Sequence, residues 1–261
     1  MKRRRLILFG ALALIAAGVV ALWPRGPKEP VYQGKKLSRW LAAENGETSA
    51  EERGQSHNAI RALGTNALPY LLFRFTNSQS RGRISQAARH IHHLGSNAAP
   101  AIPILSAYFG DTNRGEEAAT ALAGIGEPAV PCLLYFGGST NQDIAVRAAR
   151  SLSLMAGDTQ TAILPLVSLA QQTNFFVRQE AALGLRSAKS HFDVVIPTLT
   201  NMLSGPDYWT QWNIVSVLGS FGEDARPALP QILALMQSPD RRLARFASNT
   251  VYHIDPTALP R

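Results

Sequence analysis

The sequence predicts an all-α fold: a right-handed α-solenoid of about seven antiparallel helix pairs, preceded by an N-terminal transmembrane or signal helix. Three observations predict it. A phrase of small and apolar residues, then Leu-Gly or Ile-Gly, then a short turn and a proline, recurs with a period near 31. Inside each unit the apolar residues follow helical spacing. No segment alternates convincingly with period two, which argues against a β fold.

The first element is the N-terminal one. Lys2, Arg3, Arg4 and Arg5 precede an uncharged run from Leu6 to Trp23, closed by Pro24 and Arg25. As a helix such a run reaches about 27 Å, close to the roughly 30 Å hydrocarbon core of a bilayer. It exceeds the ~7–15 apolar residues usual in a cleaved signal. Val19-Val20-Ala21 keeps signal cleavage, and hence secretion, as the alternative. The basic cluster outweighs Arg25 and Lys28, which Glu29 offsets. The positive-inside rule therefore expects a single-pass protein of the cytoplasmic membrane, N-terminus inside and the remainder on the periplasmic side.

Residues 1–23 are accordingly read as anchor or signal. Residues 24–31, with Pro24, Pro27 and Pro30, form a stiff linker. Residues 32–52 form a capping helix begun at Leu37 or Ser38, with Leu37, Trp40 and Leu41 on one face, because a stacked array needs its end covered. Residues 53–261 form the array. Its clear copies run from Ala62-Leu63-Gly64 to Pro69, His93-Leu94-Gly95 to Pro100, Gly124-Ile125-Gly126 to Pro131, and Ser220-Phe221-Gly222 to Pro227. Weaker copies end at Pro165, Pro197 and Pro260, so the proline spacings are 31, 31, 34, 32, 30 and 33. Such regularity marks stacked repeats. Ile84, Ala87, Ala88, Ile91 and Leu94 make one helical stripe, with Gln86, Arg89 and His93 opposite. The glycine closes one helix and the proline opens the next.

The fullest copy is Pro165-Leu166-Val167-Ser168-Leu169, then Gln171-Gln172-Thr173-Asn174, then Val177-Arg178-Gln179-Glu180-Ala181-Ala182-Leu183-Gly184-Leu185. This resembles the HEAT repeat family, in particular the short HEAT-like form associated with bilin lyases. Val146-Arg147 and Ala244-Arg245 repeat the Val-Arg position loosely, while Ile84-Ser85 and Gly115-Glu116 depart from it. The resemblance spans about residues 53–260. It implies stacked helix pairs with Arg147, Arg178 and Arg245 bracing neighbouring turns. It names no activity, because such repeats serve as scaffolds in unrelated systems.

Composition narrows the classes further. With 46% apolar residues and 26 Lys and Arg against 18 Asp and Glu, the chain is neither a disordered polyion nor collagen-like. The single cysteine, Cys132, excludes an internal disulfide and thiol-rich metal sites. The charge of +8 is unevenly placed. Four units precede the apolar run, and residues 24–52 are neutral. Residues 53–110 hold six arginines, four of the six histidines and no acid, whereas residues 111–261 hold 11 basic and 13 acidic groups. The acid-free stretch is expected to present Arg81, Arg83, Arg89, His90 and His93 to an acidic protein, anionic lipid headgroups or a polyanionic envelope polymer. Histidine protonation below about pH 6.5 would strengthen it. The competing expectation is a solvated basic surface. Nucleic acid is not expected, given few basic-aromatic pairs and an exported location.

No P-loop, dinucleotide fingerprint, nucleophile elbow or His-Glu-x-x-His motif is present, so no cofactor or metal is expected. HEAT-like deoxyhypusine hydroxylases hold iron on repeated His-Glu pairs. His57, His90, His92, His93, His191 and His253 are each followed by another residue. His90 and His93 lie about 60° apart on a helix, yet the nearest carboxylate in sequence after them is Asp111. A bilin lyase would act on a cytoplasmic pigment protein, which the apolar run argues against. Tyr208, Trp209 and Trp212 stand where other copies carry small or charged residues. They either pack beneath the turn or form an aromatic anchor for a peptide or sugar. The function expected is a non-enzymatic protein-interaction scaffold displayed outside the cytoplasmic membrane. The alternatives are a HEAT-like enzyme or enzyme subunit, and an anion- or polymer-binding envelope spacer.

Overall fold

The computed structural model describes residues 26–42, 50–155, 160–205 and 207–259. The Leu6–Trp23 run lies outside the described residues, and no helix among them is long and apolar enough to cross a membrane. The chain divides into two compact units, one ending at Cys132 and the other beginning at Leu133.

The first unit opens with a ribbon that sequence periodicity does not reveal. Strand β1 (Val31–Tyr32) pairs antiparallel with β2 (Lys35–Lys36), Val31 opposite Lys36. Two-residue strands are too short to show alternation. Gln33 and Gly34 make the turn with φ of 48° and 74°, and Gly34 takes this left-handed conformation without steric cost. Helix α1 (Leu37–Ala42) follows and buries Leu37, Trp40 and Leu41. The Trp40 indole N–H donates to the Tyr32 carbonyl at 3.2 Å, fastening α1 to the ribbon.

Helix pairs then take over. In the first unit these are α2 (Ala50–Leu63), α3 (Leu68–Asn77), α4 (Arg81–Leu94), α5 (Ile102–Ala107) and α6 (Gly115–Ile125). Helix α7 (Val130–Gly137) carries the chain onward. The second unit contains α8 (Gln142–Met155), α9 (Ile163–Ala170), α10 (Phe175–Gly184), α11 (Phe192–Met202), α12 (Tyr208–Gly219), α13 (Leu229–Leu235) and α14 (Arg241–Ile254). Within each unit the longer helices stack side by side: α2 on α4 and α4 on α6, then α8 on α10, α10 on α12 and α12 on α14. Each is also backed by a shorter helix, as α3 backs α4 and α9 backs α10.

The turns follow from the repeated glycine. Gly64, Gly95 and Gly126 have φ of 53°, 61° and 81°, so each ends its helix in a conformation that a Cβ disfavours, while Gly222, with φ of 59°, opens the 3-10 turn that follows α12. The prolines are placed less uniformly. Pro69 falls in the first turn of α3, Pro100 and Pro227 fall in the 3-10 turns between helices, and Pro197 lies inside α11. The stripe expected on α4 is buried as Ile84, Ala87, Ala88, Ile91 and Leu94. Gln86, placed by the sequence on the opposite face, is buried too. Its Nε2 donates to the Leu41 carbonyl at 2.7 Å and its Oε1 accepts from Arg74 at 3.0 Å. Helix α1 covers that flank, and an amide satisfied at both ends is tolerated there.

Gly124 and Gly184 are constrained differently, by contact. A Cβ at Gly124 of α6 would lie 2.4 Å from the Cα of His92 on α4. A Cβ at Gly184 of α10 would lie 2.0 Å from the Ser153 hydroxyl on α8. Backbone cannot yield as a flexible side chain does, so Gly124→Ala should destabilise the first unit by about 1–3 kcal/mol through forced separation of α4 and α6. Gly82→Ala, whose nearest neighbour would be a serine hydroxyl at 3.9 Å, should be neutral or slightly stabilising. Urea unfolding of both variants checks this, and equal midpoints would refute the close-contact account.

Candidate functional site

The surfaces available for recognition are set by where the stacked helices begin. In the second unit, Asn141, Asn174, Asp207 and Asp240 recur at intervals of 33 residues. Each caps the helix that follows. Asn141 Oδ1 accepts from the Asp143 and Ile144 N–H groups at 3.0 and 3.3 Å. Asn174 serves Phe176 and Val177 at 3.1 and 3.3 Å. Asp207 serves Thr210 at 3.0 Å, and Asp240 serves Arg242 and Leu243 at 2.8 and 2.9 Å. Donors that a helix start leaves unpaired are thereby satisfied.

Arg178 ties one start to the next. It donates to the Gln172 carbonyl at 3.0 Å and the Thr210 hydroxyl at 3.2 Å, and it pairs with Asp207 at 3.4 Å. Burial by itself would raise the Asp207 carboxyl. The hydrogen bonds from the Thr210 side chain and backbone, and Arg178 with its charge, hold it below the usual carboxylate range. Arg245, the corresponding arginine of α14, stands exposed. In the first unit the bracing arginine is Arg114, which sequence pattern misses because it precedes the departing Gly115-Glu116 position. It donates to the carbonyls of Phe75, Thr76 and Ser78 at 3.1, 3.3 and 2.8 Å, closing the end of α3.

The tied helix starts of the second unit carry aromatic side chains. Phe175 and Phe176 open α10, and Tyr208 and Trp209 open α12, each pair set ring edge to ring face at 5.2 and 5.1 Å. Trp209 is 59% exposed and Phe176 is 49% exposed. Trp212 is half-buried instead, stacked on Phe246 of α14 at 4.2 Å and 10°. The two tryptophans named from the sequence thus do different things. Beside these starts lies a groove of about 590 Å³ lined by Gln172, Thr173, Arg178, Asn201, Asp207 and Thr210. Phe176 went unnoticed in the sequence, although its offset from Asn174 equals that of Trp209 from Asp207. Among the described residues, every exposed large hydrophobic except Val31 belongs to this unit.

The first unit presents charge. Arg81, Arg83 and Arg89, named together from the sequence, do not converge. Arg81 faces α6 and pairs with Glu117 at 3.6 Å, so a stretch without acid in sequence meets acid in space. Arg83, exposed, lines a groove of about 480 Å³ with Ser38, Tyr70, Phe73, Arg74 and Asn77. Arg89 is exposed farther along α4. His90, read from the sequence as partner-facing, is buried at 0% exposure, because its position flanks the Ala87-Ile91 stripe toward α2. His93 is exposed, with its ring 4.4 Å from that of His57 on α2. Among the described residues no three His, Cys, Asp or Glu side chains gather as a metal site. Cys132 is buried, and burial pushes its thiol up, partly offset by its hydrogen bond with Ser106 at 2.9 Å.

No protein-family model matches the sequence, and no curated protein matches it. Solved structures do. A designed armadillo repeat protein in complex with the peptide (KR)4 is similar at 14% identity, covering 85% of this chain and 100% of its own, with a TM-score of 0.42. Human deoxyhypusine hydroxylase in complex with glycerol is similar at 16% identity over 98% of this chain and 100% of its own, with a TM-score of 0.41. An engineered protein is similar at 18% identity over 84% and 98%, with a TM-score of 0.44.

The Arg178–Asp207–Thr210 cluster gives the second unit a defined pH response. A carboxyl whose folded pKa is depressed contributes stability above its unfolded value, near 3.9, and loses it as pH falls through the folded value. Asp207→Asn keeps the cap but removes the charge. It should lower stability at pH 7 by up to about 1 kcal/mol, with the gap from wild type closing as pH falls below about 4. Urea midpoints measured across that range check it, and a gap independent of pH would contradict the assignment.

Proposed function

We propose that the chain is a non-enzymatic protein-interaction scaffold, its helical repeats displayed outside the cytoplasmic membrane on an anchor formed by Leu6 to Trp23. The observation that carries this reading is the pair of exposed aromatic helix starts. Trp209 and Phe176 stand on neighbouring helices whose beginnings Arg178 and Asp207 lock together. Large rigid rings held in place lose little side-chain entropy on binding, and such residues dominate interface energetics. The adjoining groove supplies amide and hydroxyl groups for the polar part of a contact. Stacked helix pairs present such elements over an extended surface, which suits a long partner better than a small substrate.

A photo-crosslinking residue at position 209 or 176 of the full chain, expressed in a bacterial envelope, should give a discrete protein adduct. The same residue at exposed Asn249 of α14 should not. Adducts of equal yield at all three positions, or none at 209 and 176, would sink the scaffold reading. Trp209→Ala should reduce the yield at position 176 by about tenfold, the usual consequence of truncating one aromatic anchor.

A further inference from the structure

The groove of the first unit is lined, among the described residues, by cations and no anion. Among its described lining residues are two guanidinium groups, hydroxyls, an amide and two aromatic rings, and no carboxylate. Arg74 is held in place. It is half-buried, it donates to Gln86 Oε1 at 3.0 Å, and its guanidinium lies 6.0 Å from the Tyr70 ring centre. Gln86 is itself 1% exposed and fastened to the Leu41 carbonyl at 2.7 Å, so the anchor of Arg74 is rigid. An arginine has five N–H donors, and among the described residues Arg74 commits one. Arg83 reaches the same groove from α4 and forms no ion pair with a described residue, in contrast to Arg81.

One carboxylate stands at the edge, where Glu29 accepts from the Ser38 N–H, and the other surroundings reinforce the positive sign. Helix α4 begins at Ser80 without a side-chain cap and has no acid in its first turn, where α6 has Glu116 and Glu117. The positive end of its dipole therefore adds to Arg83 instead of being neutralised. Arg114 occupies the carbonyls that close α3, removing those acceptors from the groove's edge. A volume of about 480 Å³ is too large for a single ion and includes an aromatic wall from Tyr70 and Phe73.

We infer that this groove takes an acidic peptide segment of a partner protein. Arg74 and Arg83 grip a glutamate or aspartate carboxylate, and Tyr70 and Phe73 receive the apolar residue beside it. The inference rests on the scaffold reading. Planar guanidinium groups suit a carboxylate's two oxygens, and a pre-fixed arginine loses less freedom on binding than a mobile lysine.

The test is fluorescence anisotropy of the full chain with a labelled peptide of alternating glutamate and leucine, against its glutamine counterpart. The glutamate peptide should bind and the glutamine peptide should bind at least tenfold more weakly. Arg83→Glu, a surface change that spares the core, should lose about tenfold or more, while Arg81→Glu and Arg89→Glu should change affinity less than threefold. Arg74→Gln should match Arg83→Glu, with circular dichroism confirming its fold. Equal losses for all three charge reversals would show a diffuse field and overturn the assignment. So would displacement of the peptide by millimolar inorganic phosphate or by anionic vesicles in preference to free glutamate peptide, or no binding by wild type. If the adduct at position 209 persists through any of these failures, the scaffold reading stands and only the groove assignment falls.

Discussion

Neighbouring long helices come so close that no methyl group fits between them at Gly124 or Gly184. This constraint organises each unit. A helix pair has too little apolar surface to be stable alone, and stacking against the next pair supplies what is missing. Alanine-rich faces such as Ala87-Ala88, Ala118-Ala119, Ala148-Ala149 and Ala181-Ala182 are all buried at these contacts. Small side chains sacrifice some apolar area per residue, but they bring more atoms into contact across the interface, and dispersion falls steeply with separation. Larger residues then fill the layer between long and short helices, as Leu71, Phe75 and Ile91 do.

Close stacking leaves helix starts side by side, and their unpaired N–H groups must be satisfied locally. The cap residues answer that need, and Arg178 and Arg114 answer the matching need of carbonyls at the ends of the short helices. The exposed aromatic surfaces arise from the same solution. A residue just after a cap points away from the stack while its backbone is fixed, which is why Phe176 and Trp209 are exposed without being loose. Arg178 is committed to holding them: its partners lie in the loop before α10 and at the start of α12, leaving it structural despite lining a groove.

Much of the architecture was legible because glycine and helical periodicity each report a local physical demand. Three Leu-Gly-type steps mark helix ends with positive φ, and a fourth, at Gly222, opens a 3-10 turn with the same sign of φ. The prolines were a poorer ruler. They fall in first turns, in 3-10 turns or within a helix, so their spacing wanders between 30 and 34, while the caps of the second unit keep 33 throughout. Proline only needs a missing donor, a condition several positions meet, whereas a cap must stand at the one residue before its helix. The site was less legible. His90 and Gln86 are polar by composition yet buried, because burial depends on α1 and α2 arriving from elsewhere in the chain. Trp209 and Trp212 look alike in sequence, and packing separates them, with Trp212 stacked on Phe246 of α14.

Charge shows the same limit more sharply. A stretch of 58 residues without acid suggested one basic face. Helices, however, divide such a stretch among faces at about 100° per residue, and packing brings in charges from other repeats. Arg81 and Arg83 are two positions apart, so they diverge by about 200° around α4. One meets Glu117, and the other opens onto a groove with Arg74. Sequence charge therefore tells where cations concentrate along the chain and not which of them share a face. Which cations share a face is decided by the carboxylates packed across the stack, such as Glu117, and by contacts such as the buried amide of Gln86 that holds Arg74 in place.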